Sequence, residues 1–372
     1  EQRKRYARGE IEDLLEEGPG RREPVCPVFG DCGGCRWQHL EYPVQLEAKR
    51  SILAQALRHI GGLSDLGEIP MTASPQPYRY RARARIMVQE QRVGFRRRAS
   101  NEHCPVGGCP VLVEALDERL AQLARQAPLS GEWELAAGED GRTYAAPADA
   151  SKGATRAHSV RFRVEGHSLR NSLGVFSQAN AFLRGALVRA VRSAAIRGED
   201  VRRASLLELY SGAGMFTIPL AACFARVCAV ESSAPTVRDL TANLAAAGIA
   251  HVEVRSERVE RLLAGLAVDP WIRPDVVVLD PPRTGLARGS AAHLAGLGAL
   301  RIVYLSCDPA TLARDLSALS GLGYGLDHVE GFDLFPQTAH VESLALLSPR
   351  GRASDRRDAR RRRPDDTRGA PG

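Results

Sequence analysis

Short apolar runs alternate with stretches of helical periodicity in the second half of the chain, from Ser205 onward. The runs are SLLELY, RVCAVE, HVEVRS, PDVVVLD and RIVYLS. Strands that alternate with helices are typical of a parallel β-sheet covered by helices on both faces. The pattern therefore predicts an α/β, Rossmann-like fold for this half, with the domain boundary near residues 165–175.

The first half of the chain has a different pattern, which predicts an α+β domain. Apolar residues recur at helical spacing at Leu46, Ile52, Leu53, Leu57 and Ile60. They predict an amphipathic helix from about Val44 that ends at the glycine pair 61–62. The stretch YRYRARARIMVQEQRVGFRRR (residues 78–98) alternates strictly between polar and apolar positions, which predicts a strand.

Charge is distributed unevenly along the chain. The 372 residues are 44% apolar with a formal net charge of +7, which fits a globular protein. Residues 350–372 hold nine Arg and four Asp, so this tail contributes +5 and the rest of the chain +2. The tail has no apolar periodicity, which predicts disorder. It either contacts a polyanion or only increases solubility.

Arginine is concentrated in the strand predicted over residues 78–98. Eight Arg stand there against one Glu, and Arg79, Arg81, Arg83 and Arg85 fall on one face of the strand. Like charges this close repel one another unless a polyanion compensates them. The pattern favours RNA or DNA binding over an ordinary solvated face.

Targeting signals and cysteine content indicate the cellular compartment in which the protein is expected. Residues 209–225 are uncharged but short for a membrane span and interrupted by Gly and Pro, so no transmembrane helix is expected. The opening EQRKRYARGE has neither Met nor an apolar h-region, so we expect no signal peptide and a start inside a longer protein. Eight cysteines without a secretion signal indicate metal binding or catalysis in a reducing compartment, and hence a cytoplasmic protein.

Two segments suggest a cofactor site. LLELYSGAGMFTIPLA has the pattern of a strand, a glycine turn and a helix, which lets backbone amides approach a ligand at the carboxyl edge of a sheet. The next strand ends at Glu231, 21 residues after Tyr210, a spacing suited to a carboxylate that holds ribose hydroxyls. Together they indicate an adenosine-type ligand.

The fourth apolar run ends in Asp280, followed by two prolines and Arg283. The prolines fix a rigid loop that suits a flat substrate, although a stiff turn with a capping Asp is the plainer interpretation. Methyltransferases that act on amines place an aromatic residue where this chain has Arg283. We therefore do not expect an exocyclic amine as the methyl acceptor.

Cys307 follows the run RIVYLS, and Asp308 and Pro309 supply the cap and first-turn proline of the next helix. The cysteine is a core residue, a metal ligand or a nucleophile. A helix N-terminus favours the thiolate, while Asp308 opposes it. A thiolate at the cofactor edge can add to carbon 6 of uracil, which makes carbon 5 able to accept a methyl group. This chemistry favours the nucleophile.

A base must then remove the proton from carbon 5. Glu342 opens a predicted final strand in DLFPQTAHVESLALL and is our candidate. His340, two residues earlier on the same side of that strand, is a second candidate. A glutamate at a strand start commonly faces solvent, so the assignment depends on its pairing with Cys307.

The cysteines of the first half have metal-site spacing. Cys26, Cys32 and Cys35 form a CxxxxxCxxC pattern, which indicates zinc or an iron–sulfur cluster with a distant fourth ligand. Cys104 and Cys109, each followed by Pro-Val, are the candidates for that ligand. Cys223 and Cys228 are expected to be packing residues.

These motifs resemble those of the S-adenosylmethionine-dependent RNA uracil-5-methyltransferases, specifically the iron–sulfur branch that modifies 23S ribosomal RNA. The motifs, in family order, are CPVFGDCGGC, YRYRAR, GFRRR, CPVL, FSQAN, YSGAGMFTIPLA, LDPPRTG, YLSCDP and FPQTAHVE. The resemblance implies a Rossmann-like class I methyltransferase domain after an N-terminal iron–sulfur and RNA-binding α+β domain. It also implies a monomer that acts on RNA, with no membrane association.

The resemblance implies specific residue roles. Cys307 would be the nucleophile and Glu342 the base. The residues that would bind S-adenosylmethionine are Gln178, Tyr210, Gly212, Glu231 and Asp280. Met215 stands where the family's glycine motif usually ends in Asn. The residues that would hold a [4Fe-4S] cluster are Cys26, Cys32, Cys35 and Cys109, since the sequence after Cys109 and its distance from GFR favour it over Cys104.

We therefore expect a remnant of an RNA-binding TRAM domain over residues 1–20 and an iron–sulfur and RNA-binding domain over 21–167. A methyltransferase domain is expected over 168–349, before the tail at 350–372. The alternatives are methylation of transfer RNA, a noncatalytic iron–sulfur RNA-binding protein, and an amine methyltransferase, which Arg283 disfavours.

Overall fold

The computed structural model describes residues 2–3, 6–7, 12–126, 128–148, 158–197, 201–265 and 273–351. The predicted disordered tail therefore lies outside the described residues from residue 352 on. Most of residues 1–11, within the expected TRAM remnant, lie outside them as well. Among the helices described, none combines the length and the apolar composition that a bilayer crossing requires.

The described residues form the following strands and helices, with each kind of element numbered along the chain. The strands are β1 (Gln2–Arg3), β2 (Tyr6–Ala7), β3 (Met71–Thr72), β4 (Arg83–Gln89), β5 (Arg92–Arg96), β6 (His103–Pro105), β7 (Gly131–Ala137), β8 (Thr143–Pro147), β9 (Ser159–Val164), β10 (His167–Ser172), β11 (Ser205–Leu209), β12 (Arg226–Glu231), β13 (Val252–Ser256), β14 (Val276–Leu279), β15 (Arg301–Ser306), β16 (Tyr324–Phe332) and β17 (Glu342–Pro349). The helices are α1 (Tyr42–His59), α2 (Glu114–Arg125), α3 (Arg184–Ile196), α4 (Thr217–Ala221), α5 (Ala234–Ala246), α6 (Val259–Gly265), α7 (Ser290–Gly296) and α8 (Pro309–Gly321).

The five apolar runs of the second half form the parallel part of one large sheet, so the predicted Rossmann-like α/β fold is confirmed. The strand order is β13-β12-β11-β14-β15-β17-β16-β3. Strands β11 to β15 are parallel to one another, while β17 runs antiparallel to both β15 and β16. All four residues of β14 are buried, as expected of a strand covered on both faces.

Helices cover both faces of this sheet, which gives two apolar cores. One core contains side chains of α1, α6, α7 and α8 against β11, β14 and β15. The other contains side chains of α3, α4, α5 and the β9-β10 hairpin. Helix α1 and strand β3 thus pack on the C-terminal sheet, although both lie within the segment expected to form the first domain.

A second sheet, with the order β6-β5-β4-β7-β8, is antiparallel and packs against α2. The long strand predicted over residues 78–98 is instead the β4-β5 hairpin, with Glu90 and Gln91 at positive φ in its turn. Arg79 also has a positive φ, of 53°, and lies before β4. The prediction of a single strand with four arginines on one face was therefore wrong, because an alternation of polar and apolar residues does not reveal where the backbone turns.

Helix α1 begins two residues before the predicted start, but its buried face differs from the predicted one. The buried residues are Gln45, Lys49, Leu53 and Leu57, while Ile52 and Ile60 are exposed. Lys49 forms an ion pair with Asp333, which follows β16, and neither side chain is accessible to solvent. Its Nζ also donates a hydrogen bond to the carbonyl of Phe335 at 3.0 Å.

This ion pair makes a testable contribution to stability. Lys49→Met leaves the Asp333 carboxylate buried without its cation, so we expect the free energy of unfolding to fall by about 3–5 kcal/mol. Urea denaturation followed by circular dichroism measures it. The exposed pair of Arg189 and Glu165 supplies the control, since Arg189→Met should cost no more than about 1 kcal/mol. Equal effects of the two substitutions would contradict the assignment.

Candidate active site

One cavity of about 510 Å³ lies at the carboxyl edge of the parallel strands. Tyr210, Asp280 and Cys307 each follow a strand, and Glu231 ends one. Because the strands are parallel, their ends meet at the same edge of the sheet. All seven residues predicted for catalysis and cofactor binding line this cavity, namely Gln178, Tyr210, Gly212, Glu231, Asp280, Cys307 and Glu342.

The turn after β11 brings backbone amides to the cavity. Tyr210, Gly212 and Gly214 all have positive φ values, of 60°, 58° and 94°. A Cβ atom at Gly214 would lie 2.7 Å from a side-chain atom of Leu240, so this position requires glycine. Glu231 accepts hydrogen bonds from the amides of Gly212 at 3.1 Å and Ser233 at 2.7 Å. These bonds fix the carboxylate at the cavity wall.

Gln178 reaches the cavity from the loop before α3. Its backbone carbonyl accepts a hydrogen bond at 3.0 Å from Nε of Arg184, a buried arginine. The Arg184 guanidinium also lies over the ring of Phe162, 4.6 Å from its centroid. Arg184 also forms an ion pair with Glu139 at 3.7 Å. Arg184 thus positions Gln178, a role that the sequence did not reveal because the bond between them is made to a backbone atom.

Cys307 lies half-buried where β15 meets α8. Asp308 caps the helix as predicted and accepts hydrogen bonds from the amides of Ala310 at 3.0 Å and Thr311 at 2.9 Å. Burial, and after it the charge of Glu342, raise the pKa of the Cys307 thiol to about 11, although Arg283 opposes the rise. The thiol is therefore protonated at neutral pH in the free protein.

Two acids lie close to Cys307 in the same cavity. Burial raises the pKa of Glu342 well above its ordinary value, and the neighbouring Asp280 adds to the rise while Arg283 lowers it. Burial likewise raises the pKa of Asp280. A raised pKa makes the carboxylate of Glu342 a stronger base than an exposed glutamate.

His340 is the weaker of the two candidate bases. It lies before β17 rather than in it, and it is not among the residues that line the cavity. Its Nε2 is 3.4 Å from a guanidinium nitrogen of Arg283. Burial, and after it the charge of Arg283, lower the pKa of His340 to about 4, so its imidazole is neutral and weakly basic. The prediction that His340 shares a strand face with Glu342 was wrong.

The structure adds residues that sequence reasoning missed. Glu208 in β11 is buried behind the glycine turn, and burial raises its pKa to about 8. Phe176 and Phe335 line the cavity, and Phe176 is largely exposed. Phe176 is the first residue of the motif FSQAN, and Phe335 is the first residue of FPQTAHVE. The aromatic residue within each motif was therefore the sequence signal that could have identified them.

The cysteines of the first half meet at a second, smaller cavity. Cys26, Cys32, Cys35 and Cys109 all line it, whereas Cys104 does not. Burial raises the pKa of Cys32 and of Cys109 to about 11. Within the described part of the chain, no group of three or more His, Cys, Asp or Glu is arranged to hold a metal ion. The four predicted ligands share a site, and the cluster stays a prediction.

The four arginines predicted to bind RNA have different surroundings. Arg85 is exposed, and Arg79 bonds to Asp117 at 2.7 Å while remaining about half exposed. Arg81 lines the cysteine cavity and lies 5.7 Å from the ring centroid of Phe335. Arg83 is buried in an ion pair with Glu134 at 2.5 Å. The guanidinium of Arg83 is therefore occupied by the protein itself, contrary to the expectation of a free cationic face.

The charges around Cys307 predict its reactivity. Arg283→Gln removes the cation that favours the thiolate, so the thiol pKa rises and alkylation at pH 8 slows by about threefold or more. The measurement is the rate at which iodoacetamide modifies the Cys307 peptide, followed by mass spectrometry. In the unmodified chain this rate should rise about tenfold per pH unit between pH 7 and 9, since the pKa lies near 11.

Arg288 provides the matched control, because it is also exposed but does not line the cavity. Arg288→Gln should leave the alkylation rate unchanged. An Arg283→Gln protein that reacts as fast as the unmodified chain would show that Arg283 does not influence the thiol.

Comparisons with known proteins identify the family of this chain. A sequence model of the tRNA (Uracil-5-)-methyltransferase family matches residues 161–350, slightly more than half of the chain. The 23S rRNA (uracil(1939)-C(5))-methyltransferase of Hahella chejuensis is 33% identical over 93% of this chain and 87% of its own length. The Klebsiella pneumoniae enzyme of the same name is 33% identical over 94% of this chain and 87% of its own length.

A solved structure is similar over nearly the whole chain. It is the tRNA (uracil-54, C5)-methyltransferase of Pyrococcus abyssi in complex with S-adenosyl-L-homocysteine, with 26% identity and a TM-score of 0.69. The match covers 90% of this chain and 87% of that protein. With the family model, the relatives and the strand-end cavity in agreement, the chain belongs to the family of S-adenosylmethionine-dependent RNA (uracil-5-)-methyltransferases.

Proposed function

We propose that this chain methylates carbon 5 of a uridine in 23S ribosomal RNA through a covalent adduct between Cys307 and carbon 6. The observation that carries the proposal is that Cys307, Asp280 and Glu342 line one cavity with the glycine turn. A nucleophile, a buried base and a nucleoside-binding edge are the groups that addition, methyl transfer and elimination require. The 23S rRNA substrate is supported by the bacterial relatives' names.

The cavity suits S-adenosylmethionine in size and in the chemistry of its walls. A volume of about 510 Å³ lies in the range of pockets that enclose a ligand of this kind. The residues that would hold it are Gln178, Tyr210, Gly212, Glu231 and Asp280. Glu231 is fixed by two backbone amides and presents its carboxylate where ribose hydroxyls would donate. When bound, the cofactor supplies an electrophilic methyl group.

Cys307 performs the first chemical step. Its thiol gives its proton to solvent, and the sulfur forms a bond to carbon 6 of the uracil while the ring's electron pair moves to carbon 5 and the O4 enolate. Arg283 and the N-terminus of α8 favour the thiolate that this step needs. The uridine must leave its stack to reach the half-buried sulfur.

Glu342 completes the reaction. After carbon 5 carries the methyl group, the carboxylate of Glu342 accepts the proton from that carbon. The electron pair then reforms the double bond between carbons 5 and 6, and the bond to sulfur breaks to return the Cys307 thiolate. Burial beside Asp280 raises the pKa of Glu342 and so strengthens the base.

The cysteine cavity fits a [4Fe-4S] cluster held by Cys26, Cys32, Cys35 and Cys109. The fit rests on donor chemistry, since four thiols line one cavity that is otherwise mostly apolar. In such a cluster each thiolate binds a different iron, so the sulfurs lie further apart than around a single zinc ion.

RNA contact is proposed for the exposed arginines of the first half. Arg79 and Arg85 present guanidinium groups that phosphates can reach. Arg81 lies between the two cavities and would contact a nucleotide near the site. Arg83 contributes by bonding Glu134, Ser177 and the carbonyl of Ser172, which joins β4 to the loop before Gln178.

Substitution of the two catalytic residues tests the chemistry. Cys307→Ala should abolish methylation and leave S-adenosylmethionine binding intact, because the residue acts on the uracil. Glu342→Gln should slow turnover by about 100-fold or more and accumulate a protein–RNA adduct, because the adduct forms but cannot lose its proton. Methyl incorporation from labelled cofactor and denaturing gels measure both outcomes.

The same assay of methyl incorporation tests a control variant and the choice of RNA substrate. Cys223→Ala removes a half-buried cysteine that packs against the core and does not line the cavity, and it should retain turnover. A transcript of 23S rRNA should be methylated and a transfer RNA transcript should not. Methylation of transfer RNA alone would overturn the ribosomal assignment, and no methylation of either would favour a noncatalytic RNA-binding protein.

The cluster makes a separate prediction about two cysteines. Protein purified without oxygen should contain about four irons and four sulfides per chain, with a broad visible absorption band. Cys109→Ser should lose most of this iron, whereas Cys104→Ser should keep it, since Cys104 does not line the cavity. Zinc in place of iron, or loss of iron from Cys104→Ser, would contradict the assignment.

A further inference from the structure

The segment of residues 333–341 connects β16 to β17 and leads directly into the proposed base. Phe335 of this segment lines the methylation cavity, and Glu342 follows it at the start of β17. The position of the segment therefore determines where the base and the aromatic wall of the cavity lie. The contacts that hold this segment in place are distinct from the groups that take part in the chemistry.

Gln337 holds the middle of this segment through all of its hydrogen-bonding atoms. The residue is buried and has a φ of 68°, a backbone conformation that residues other than glycine rarely adopt. Its amide donates to Oε1 of Gln45 at 2.9 Å, and its Oε1 accepts from Nε2 of Gln45 at 2.9 Å. Its Nε2 donates to the carbonyl of Pro77 at 3.2 Å.

The carbonyl of Gln337 connects the segment to the cysteine loop. It accepts hydrogen bonds from the amide of Arg36 at 2.8 Å and from that of Trp37 at 3.0 Å. These two residues immediately follow Cys35, a proposed cluster ligand. Any change in the fold of the loop after Cys35 must therefore break these bonds or move Gln337.

Two further contacts join the same parts of the molecule. The hydroxyl of Tyr80 donates to the carbonyl of Pro336 at 2.9 Å, and Arg81 lies over the ring of Phe335. Both Tyr80 and Arg81 line the cysteine cavity. The walls of the two cavities are thus in direct contact through residues 335–337.

We propose that Gln337 is a positioning residue that couples the cysteine loop to Glu342, so that the folded cysteine site sets the geometry of proton removal from carbon 5. The inference rests on the proposed function, in which Glu342 is the base. Cys307 is placed by the end of β15, and the adenosine end of the cavity by the ends of β11 and β12, whereas Glu342 directly follows the segment that Gln337 holds. The effect of Gln337 is therefore assigned to the last chemical step.

Gln337→Gly tests this role, because glycine accepts the positive φ while the bonds to Gln45 Nε2 and Pro77 are lost. We expect the covalent RNA adduct to form at the normal rate and to resolve about ten- to 100-fold more slowly, since a base displaced by about 1 Å loses this much. Cofactor affinity and iron content should remain unchanged. Loss of cofactor binding, adduct formation and turnover together would show a merely structural role and overturn the proposal, as would normal adduct resolution.

Hydrogen exchange tests the coupling without any reference to activity. Amides of residues 333–341 should exchange faster in Gln337→Gly and in Cys35→Ser, which lacks a proposed cluster ligand, while amides of β11 stay protected. Gln91→Gly is the matched control, because Gln91 has the same backbone conformation, with a φ of 62°, in an exposed hairpin turn. It should change neither exchange nor adduct resolution.

The two experiments separate the failure of this inference from the failure of the proposed function. If the protein methylates no RNA but exchange rises as expected, the coupling stands and the assigned chemistry fails. If methylation proceeds through Cys307 but exchange over residues 333–341 is unaffected in both variants, the coupling fails and the chemistry stands.

Discussion

The buried ion pair between Lys49 and Asp333 constrains how the two halves of the chain meet. Two charges without solvent access are tolerated only while they remain paired, so α1 and the end of β16 cannot separate without a large cost in free energy. Lys49 also donates to the carbonyl of Phe335 and lies 5.9 Å from the ring centroid of Trp37. One ammonium group therefore brings together α1, the segment before the proposed base and the loop that follows the cysteines.

The chemistry of the methylation cavity depends on a second electrostatic feature, which is the concentration of acids around Cys307. Burial raises the pKa values of Glu208, Asp280 and Glu342, and Asp280 adds to the rise at both glutamates. Glu342 and Asp280 also oppose ionisation of Cys307, and Arg283 is the cation that counteracts them. Such a site favours cations over anions, which complements the positive sulfonium of S-adenosylmethionine. The raised pKa of Glu342 also suits its proposed role as the base.

The strand-end residues could be predicted from the sequence because the sheet is parallel. Each apolar run ends at the same edge, so Tyr210, Glu231, Asp280 and Cys307 had to meet once the strands were assigned. The buried polar residues could not be predicted in this way. Gln45 and Lys49 lie at positions that a periodicity argument assigns to solvent, and their partners Gln337 and Asp333 are 292 and 284 residues away. Polar burial is decided by such distant partners and not by local pattern.

The same limitation explains the arginines of residues 78–98. Alternation predicted one charged face, but the positive φ of Arg79 and the ion pair of Arg83 divide these side chains between surface, cavity wall and interior. Arg81 is the informative member, since it lines the cysteine cavity and contacts Phe335 of the other cavity. Transfer of a methyl group to a carbon with loss of a proton consumes no electrons, so the reaction gives a cluster no redox role. A cluster held by the four cysteines, as proposed, would instead have a mechanical role, because it would fix the loop whose amides bond to the carbonyl of Gln337.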